Sequence, residues 1–108
     1  MKRGEVWWVA FDPAVGSEIT KTRPAVIISN DAANRHLGRV VVVPFTSSTS
    51  RLYPGEALAT IAGTQSKAMA DQIMAADKSR LKNHIGTLSA KDLHAVDNAI
   101  RVHLGMVR

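Results

Sequence analysis

Apolar residues fall in short runs between turn-forming residues over most of the chain. The first run, EVWWVAF at 5–11, alternates between two faces that are both apolar. We therefore expect a strand that is covered on both sides: the core covers one face, and a partner is one candidate for covering the other. A buried strand at 25–29 and a third at 39–45 follow. Two more strands are predicted within 55–63 and 66–77, joined at Gly63-Thr64.

Three local features refine these boundaries. Arg23-Pro24 comes directly before the second strand, which places Arg23 at its mouth. The stretch SNDAANRHLG at 29–38 has the composition of a turn. Pro44 lacks an N–H group, which predicts a sheet edge or a bulge at that point of the third strand.

The period of the pattern changes near the C-terminus. Ser89 is a candidate N-cap, and Asp92 three residues later gives an acidic variant of the capping box. A stripe at helical spacing follows, and Gly105 is positioned to end the helix; the stripe consists of Leu93, Val96, Ile100, Leu104 and Val107. The pattern predicts one domain over 1–108, mainly β with a C-terminal α-helix, as a small barrel or sandwich.

Charge and composition add three constraints. The chain has 14 Lys and Arg against 9 Asp and Glu, a net charge of +5, which is compatible with a polyanionic partner such as a nucleic acid. It has no cysteine, which excludes disulfides and thiolate sites. No apolar run reaches about 18 residues, so we expect no membrane span and a cytoplasmic location.

The usual catalytic signatures are absent from the sequence. His94 and His103 fall on opposite faces of the predicted helix, and no pattern has metal-ligand spacing. There is neither a Gly-x-Ser-x-Gly elbow nor a glycine fingerprint for phosphates. Polar residues at strand ends remain, for which spacing alone favours a surface or structural role over catalysis; they are Glu18, Arg23, Thr46 and Asp71-Gln72.

Several motifs in order resemble the MazF/PemK family of toxin endoribonucleases, over essentially the whole chain. They are RGEVWWVAFDPAVGSEITKTRPAVIIS, then VPFTSS, DQI, DKSRL and GTLSAKDLHAVDNAIRVHLGM. The resemblance implies an SH3-like small barrel with a terminal helix that works as a homodimer and needs no metal or cofactor. It also implies a cognate antitoxin whose acidic, extended tail occupies the RNA groove.

The activity implied by the resemblance is metal-independent, sequence-specific cleavage of single-stranded RNA, mRNA above all. The adjacent 2′-OH attacks, leaving a 2′,3′-cyclic phosphate and a 5′-OH end. The resemblance makes Arg23 the catalytic arginine, Thr46 a phosphate contact and Glu18 a proton acceptor or orienting partner. RNA contacts are expected from Lys21, Ser47, Arg51, Lys67, Asp71, Gln72 and Trp8.

Some points stay open at this stage. In some relatives an arginine stands two residues before the Asp of Asp-Gln, but here the residue is Met69, so Asp71 ranks below Arg23 and Thr46. Trp8 is equally well explained as a core residue. Loops at 14–22 and 47–56 are expected to set specificity. The alternatives are a CcdB-like gyrase poison acting through VHLGMVR at the C-terminus, or an RNA-binding barrel without cleavage.

Overall fold

The computed structural model describes residues 1–13, 15–18 and 21–106. Within them the chain forms seven strands and two α-helices. The strands are β1 (Glu5–Ala10), β2 (Thr22–Ile27), β3 (Arg39–Thr46), β4 (Glu56–Ile61), β5 (Thr64–Met69), β6 (Met74–Asp77) and β7 (Leu81–Thr87). The helices are α1 (Asp31–His36) and α2 (Ala90–His103). Neither helix has the length and apolarity that a membrane span requires.

The strands form one antiparallel sheet that curls into a small barrel. Its order is β4-β5-β3-β2-β1-β7, and β6 pairs with β3 beside this path. The central strand β3 contacts three others: β2 on one side, and β6 and then β5 on the other. The prediction of a mainly β fold with a C-terminal helix is therefore confirmed.

The core lies on both sides of β1, as the alternating pattern predicted. Val6 belongs to a buried cluster that includes Val43, Phe45 and Val96 of α2. Val9 belongs to a second cluster on the other face, with Ile27. Both valines are fully buried by the chain itself, so a partner is not needed to cover them.

The sequence predicted a sheet edge or a bulge at Pro44, and the sheet edge is wrong because β3 is an interior strand. Pro44 lies opposite Ala25 of β2. On its other side β3 pairs with β6 through Val42 and with β5 from Phe45 onward. A residue without an N–H group thus occupies the point where β3 changes partners, where a ladder is interrupted in any case.

Three further segments differ from the pattern. The stretch at 29–38 contains α1, which Asn30 caps by accepting a hydrogen bond from the Ala33 N–H at 2.8 Å. The segment 66–77 is not one strand, because a 3₁₀ turn at Ala70–Gln72 separates β5 from β6. The strand β7 was missed because its sequence, LKNHIGT, is mostly polar and covers only the edge of β1.

The caps of α2 agree with the prediction, except for the role of Asp92. Ser89 Oγ accepts a hydrogen bond from the Asp92 N–H at 3.1 Å. The Asp92 carboxylate does not complete the capping box but accepts the Thr60 N–H of β4 at 2.9 Å, which ties the helix to the sheet. Gly105 has φ +71°, and the Met106 N–H reaches the Arg101 carbonyl at 2.8 Å.

The predicted apolar stripe of α2 faces the core over only part of the helix. Val96 is buried, and Leu93 and Ile100 pack against the same cluster. Leu104 is exposed. Val107 lies outside the described residues.

The N-terminus is fastened to both helices through Arg3. Its backbone N–H donates to Asp31 Oδ1 at 2.7 Å, at the start of α1. Its guanidinium donates to the Ile28 carbonyl and to Asp97 Oδ2 of α2, the latter at 2.5 Å. This residue therefore joins the first strand, the short helix and the terminal helix at one corner.

Candidate active site

Arg23 lies inside β2 and not at its mouth. The strand begins at Thr22, so Arg23 and Pro24 are paired residues that face Val9 and Trp8 of β1. Proline supplies no N–H but holds its own φ near −65°, which is compatible with an extended strand end. Because Val9 is fully buried, Arg23 stands on a strand whose neighbour is anchored in the core.

Thr46 is the last residue of β3 and lies near Arg23. The β2–β3 ladder pairs Ile27 with Val42 and ends at Ala25 opposite Pro44. Arg23 precedes Ala25 by two residues and Thr46 follows Pro44 by two, so both lie beyond this last pair at the same end of the sheet. The two residues that the resemblance implied therefore come from neighbouring strand ends.

These residues line a surface pocket of about 350 Å³, which we call the arginine pocket. It unites five of the predicted site residues: Trp8, Lys21, Arg23, Thr46 and Ser47. Its other lining residues are Thr22, Pro24, Phe45 and Ser66. Among the residues that the structure describes, the lining contains two cationic side chains and no carboxylate, so the pocket suits an anionic ligand.

Trp8 and Lys21 border this pocket from the β1–β2 side. Trp8 is 41% exposed, so it is not the core residue that the sequence left as an alternative. Lys21 has a positive φ of 68°, and its backbone is held on both sides: its N–H donates to Asp12 Oδ1 at 3.0 Å and its carbonyl accepts the Phe11 N–H at 2.9 Å. The lysine thus projects from a fixed turn.

The structure places Glu18, Asp71 and Gln72 in a second pocket of about 340 Å³, here called the Asp71 pocket. Its remaining lining residues are Phe11, Pro13, Ser17, Ile73, Met74 and Arg80. Glu18 Oε1 accepts the Val15 N–H at 2.7 Å, so this carboxylate helps to shape the β1–β2 loop. Asp71 is exposed in the 3₁₀ turn, and its pocket does not include Arg23 or Thr46.

Sequence reasoning missed Arg80, which borders the Asp71 pocket. Its Nη1 donates to the carbonyls of Ala10 at 3.0 Å and Asp12 at 2.9 Å. It thereby holds the start of the β1–β2 loop against the start of β7. The only signal in the sequence was its place within DKSRL, directly before a strand whose polar pattern concealed it.

Two predicted RNA contacts, Arg51 and Lys67, lie outside both pockets. Lys67 of β5 is buried, with Nζ 3.2 Å from Glu56 Oε1. The same ammonium donates to the Arg51 carbonyl at 3.0 Å. The Arg51 side chain is exposed and donates to the Tyr53 hydroxyl at 3.1 Å. The Arg51 side chain is therefore accessible to RNA, whereas the Lys67 ammonium is bonded to Glu56 and to the Arg51 carbonyl.

The carboxyl groups with displaced pKa values serve the fold. A hydrogen bond from the Arg3 backbone lowers the pKa of Asp31, although partial desolvation opposes it. Hydrogen bonds from Ser79 lower the pKa of Asp77. For Glu5, burial acts to raise the pKa, but hydrogen bonds from the Trp7 indole and the Lys2 backbone, with nearby positive charge, outweigh it and leave the pKa lowered. Across the described ranges, no group of three or more His, Asp or Glu side chains is arranged to hold a metal ion.

Known proteins resemble this chain in both sequence and fold. Residues 2–104 match the family described as PemK-like, MazF-like toxins of type II toxin–antitoxin systems. The chain is 45% identical to endoribonuclease MazF9 of Mycobacterium tuberculosis, over 98% of each chain. Its fold superposes on MazF of Deinococcus radiodurans with a TM-score of 0.87, at 29% identity over 98% of this chain and 97% of the other.

A structure of a mycobacterial endoribonuclease in complex with its cognate antitoxin is also similar. It gives a TM-score of 0.84 at 25% identity and covers 100% of this chain and 98% of the other. The similarity covers the whole length of this chain and so spans β2 and β3. The chain belongs to the PemK-like, MazF-like family of toxins of type II toxin–antitoxin systems.

Proposed function

We propose that this protein is the toxin of a toxin–antitoxin pair and cleaves single-stranded RNA, chiefly mRNA, at the arginine pocket without a metal ion. The observation that carries the proposal is the arginine pocket, a cationic pocket open to solvent that Arg23 and Thr46 line together. The endoribonuclease name of the relative that is 45% identical supports the same reaction.

The proposed reaction uses a nucleophile that belongs to the RNA. The 2′-oxygen bonds to the adjacent phosphorus while the bond from phosphorus to the 5′-oxygen breaks. The 2′-OH loses its proton and the leaving 5′-oxygen gains one, giving a 2′,3′-cyclic phosphate and a 5′-OH end. Negative charge grows on the non-bridging oxygens during this step, and the protein accelerates it by stabilising that charge in place.

Arg23 and Thr46 have the chemistry for that task. A guanidinium is permanently charged and can donate two parallel N–H bonds to a phosphate. The Thr46 hydroxyl can donate one more from the opposite strand. Both residues stand on paired strands, so little reorganisation is needed when the phosphate arrives.

Two carboxylates, those of Glu18 and Asp71, are the candidates for the group that accepts the proton of the 2′-OH. Glu18 and Asp71 both line the neighbouring Asp71 pocket. The residue that accepts the proton should lose kcat on conversion to its amide, Glu18→Gln or Asp71→Asn, with KM little changed. A carboxylate that only contacts a base should change KM and sequence preference instead.

The RNA contacts are proposed to extend from the arginine pocket in both directions. Trp8 offers an exposed ring on which a base can stack, and Lys21 and Ser47 flank the phosphate site. Asp71 and Gln72 carry an acceptor and an amide, which suit the edges of unpaired bases. Arg51 is placed to contact RNA from the loop between β3 and β4.

Two protein partners belong to the proposal. A cognate antitoxin with an acidic, extended tail would compete with RNA for the arginine pocket. The lining of this pocket is cationic, and the protein as a whole has a net charge of +5. A second copy of the chain would cover apolar side chains that are exposed at the end of α2, namely Val102, Leu104 and Met106.

The test is incubation of the purified protein with mixed-sequence single-stranded RNA in EDTA. Cleavage should be sequence-specific, and the new ends should accept phosphate from a polynucleotide kinase, as 5′-OH ends do. Arg23→Ala and Thr46→Ala should each lower kcat by about 10²-fold, the scale for losing one charge-stabilising donor. Arg35→Ala serves as the matched control, because Arg35 is an exposed cation in α1.

Intact RNA, or cleavage unaffected by Arg23→Ala, would refute the proposal. Intact RNA together with loss of DNA supercoiling by gyrase would favour the gyrase-poison alternative. RNA that is bound but not cut would favour the plain binding barrel.

A further inference from the structure

Lys67 is a buried cation directly across the sheet from Thr46. The two residues are register partners in the β3–β5 ladder. The side chain of Lys67 is only 10% exposed and that of its ion-pair partner Glu56 is 14% exposed. Lysine and glutamate are rarely buried to this degree unless they pair, since an unpaired buried charge is costly.

The pair is the centre of a set of bonds that holds the segment 51–56. Lys67 Nζ donates to the Arg51 carbonyl at 3.0 Å and lies 6.0 Å from the centre of the Tyr53 ring. Glu56 Oε1 accepts the Tyr53 N–H at 2.8 Å, and the Glu56 N–H reaches the Tyr53 carbonyl at 3.0 Å. Both ends of the segment are therefore attached to one buried ion pair.

The side chains that this segment presents are suited to RNA. Tyr53 is 53% exposed, and its hydroxyl accepts a hydrogen bond from the exposed guanidinium of Arg51 at 3.1 Å. A tyrosine ring can stack on an unpaired base and an arginine can hold the adjoining phosphate. A buried Lys67, by contrast, would have to leave Glu56 before it could touch a phosphate.

We propose that Lys67 and Glu56 are positioning residues that set the sequence preference of the nuclease. They fix Arg51 and Tyr53 at a constant distance from Thr46. The base that this segment recognises therefore lies at a fixed distance from the phosphate that is cut. Lys67 acts through the segment and does not bind RNA itself. The inference rests on the proposed ribonuclease activity. It makes the Lys67–Glu56 pair the structural support of the loop at 47–56.

The experiment compares Lys67→Met, Lys67→Arg and the wild type, with Lys91→Met as the control. Lys91 is an exposed lysine at the start of α2, so this control removes the same charge without touching the loop. Two quantities are measured for each variant. One is amide hydrogen exchange over 51–56, and the other is the distribution of cut sites, from sequencing of the 5′-OH ends of a mixed RNA pool.

In Lys67→Met the amide hydrogens of 51–56 should exchange faster than in the wild type. The variant should still cut RNA, because Arg23 and Thr46 are unchanged. Its preference between the best and the second-best site should fall by about tenfold, the effect of losing one positioned contact. Lys67→Arg keeps the charge and the donors and should restore much of the preference. Lys91→Met should behave as the wild type does.

A uniform loss of cleavage at all sites, with unchanged preference and a weaker dependence on salt, would overturn the inference and make Lys67 a phosphate contact. Unchanged exchange and unchanged preference would overturn it as well. The double variant Lys67→Met/Glu56→Met covers the case in which Lys67→Met unfolds, because it leaves no buried charge without a partner. This variant should fold, and its preference should be as low as that expected of Lys67→Met; wild-type preference in it would refute the proposal.

The failure of the inference can be told apart from that of the proposed function. If the wild type cuts no RNA, the proposed function fails while hydrogen exchange still reports whether the ion pair holds 51–56. If the wild type cuts RNA and Lys67→Met keeps both exchange and preference, only the inference fails.

Discussion

Ala25 lies directly opposite Pro44 in the β2–β3 ladder, and Arg23 and Thr46 lie two residues beyond this last pair, at the same end of the sheet. The two strands run antiparallel, so residues far apart in the sequence meet at one end of the sheet. The next strand, β1, places the buried Val9 opposite Arg23. Arg23 is thus paired, on the β1 side, with a residue that is anchored in the core.

The first prediction concerns the shape of the Arg23 side chain. Arg23→Lys keeps the charge but loses the planar pair of N–H donors, so it should not replace arginine at a bidentate site. We expect a loss in kcat of about tenfold, smaller than that of Arg23→Ala, with KM nearly unchanged. Single-turnover cleavage of one defined RNA measures this, and full activity of Arg23→Lys would show that a point charge is sufficient.

The second prediction concerns the exposed ring of Trp8. Trp8→Ala should weaken RNA binding by about 1–3 kcal/mol, the usual value of one base stacked on an aromatic ring, while Trp8→Phe keeps most of it. The folded state should change little, since the side chain is 41% exposed. Fluorescence anisotropy with a non-cleavable RNA carrying a 2′-deoxy sugar measures the affinity. Equal affinities for Trp8→Ala and the wild type would exclude stacking.

The third prediction concerns Arg80 and the loop that it holds. Arg80→Met removes the hydrogen bonds to the Ala10 and Asp12 carbonyls and should lower the free energy of unfolding by about 1–3 kcal/mol. The same change frees the loop between β1 and β2, so RNA cleavage should decline at every site. Urea denaturation and a cleavage time course measure the two effects, with the exposed Arg101→Met as control. Wild-type stability in Arg80→Met would show that these bonds contribute nothing.

The fourth prediction concerns the pH dependence of stability through Asp31. Its pKa in the folded protein lies below the ordinary value of 3.8, so its contribution is present above about pH 3.8 and is lost as the pH falls through the lower, folded pKa. Asp31→Asn cannot titrate, so the difference in Tm between wild type and variant should be greatest near neutral pH and should close in acid. Thermal melts between about pH 2 and 7 test this. A difference that stays constant to the acid limit would contradict the assignment.

Much of this structure could be predicted from the order of the residues. The alternation in 5–11 correctly gave a strand with core on both faces, and Ser89 correctly marked the start of α2. These features depend on local pattern and local hydrogen bonds. The motif around Arg-Pro and the one around Thr46 identified two residues that the sheet does bring together.

Other features depend on pairing that no local pattern records. The strand β7 is polar because it only covers an edge, so alternation could not reveal it. Asp71 was assigned to a strand because the residues on both sides of it are apolar, whereas a 3₁₀ turn carries it towards a separate pocket. Lys67 was predicted to contact RNA, since nothing local reveals its partner Glu56, which lies eleven positions earlier and meets it only through the β4–β5 hairpin.

The change of partners along β3 at Pro44 has a consequence for how such nucleases diversify. The half of β3 before the proline is enclosed by β2 and β6, while the half after it leads through Thr46 into the loop that ends at β4. Insertions or substitutions in that loop leave in place the part of β3 before Pro44 and the neighbouring strand β2, which carries Arg23. If that loop sets specificity as proposed, a lineage built on this frame can acquire a new target sequence while it inherits the proposed cutting residues intact.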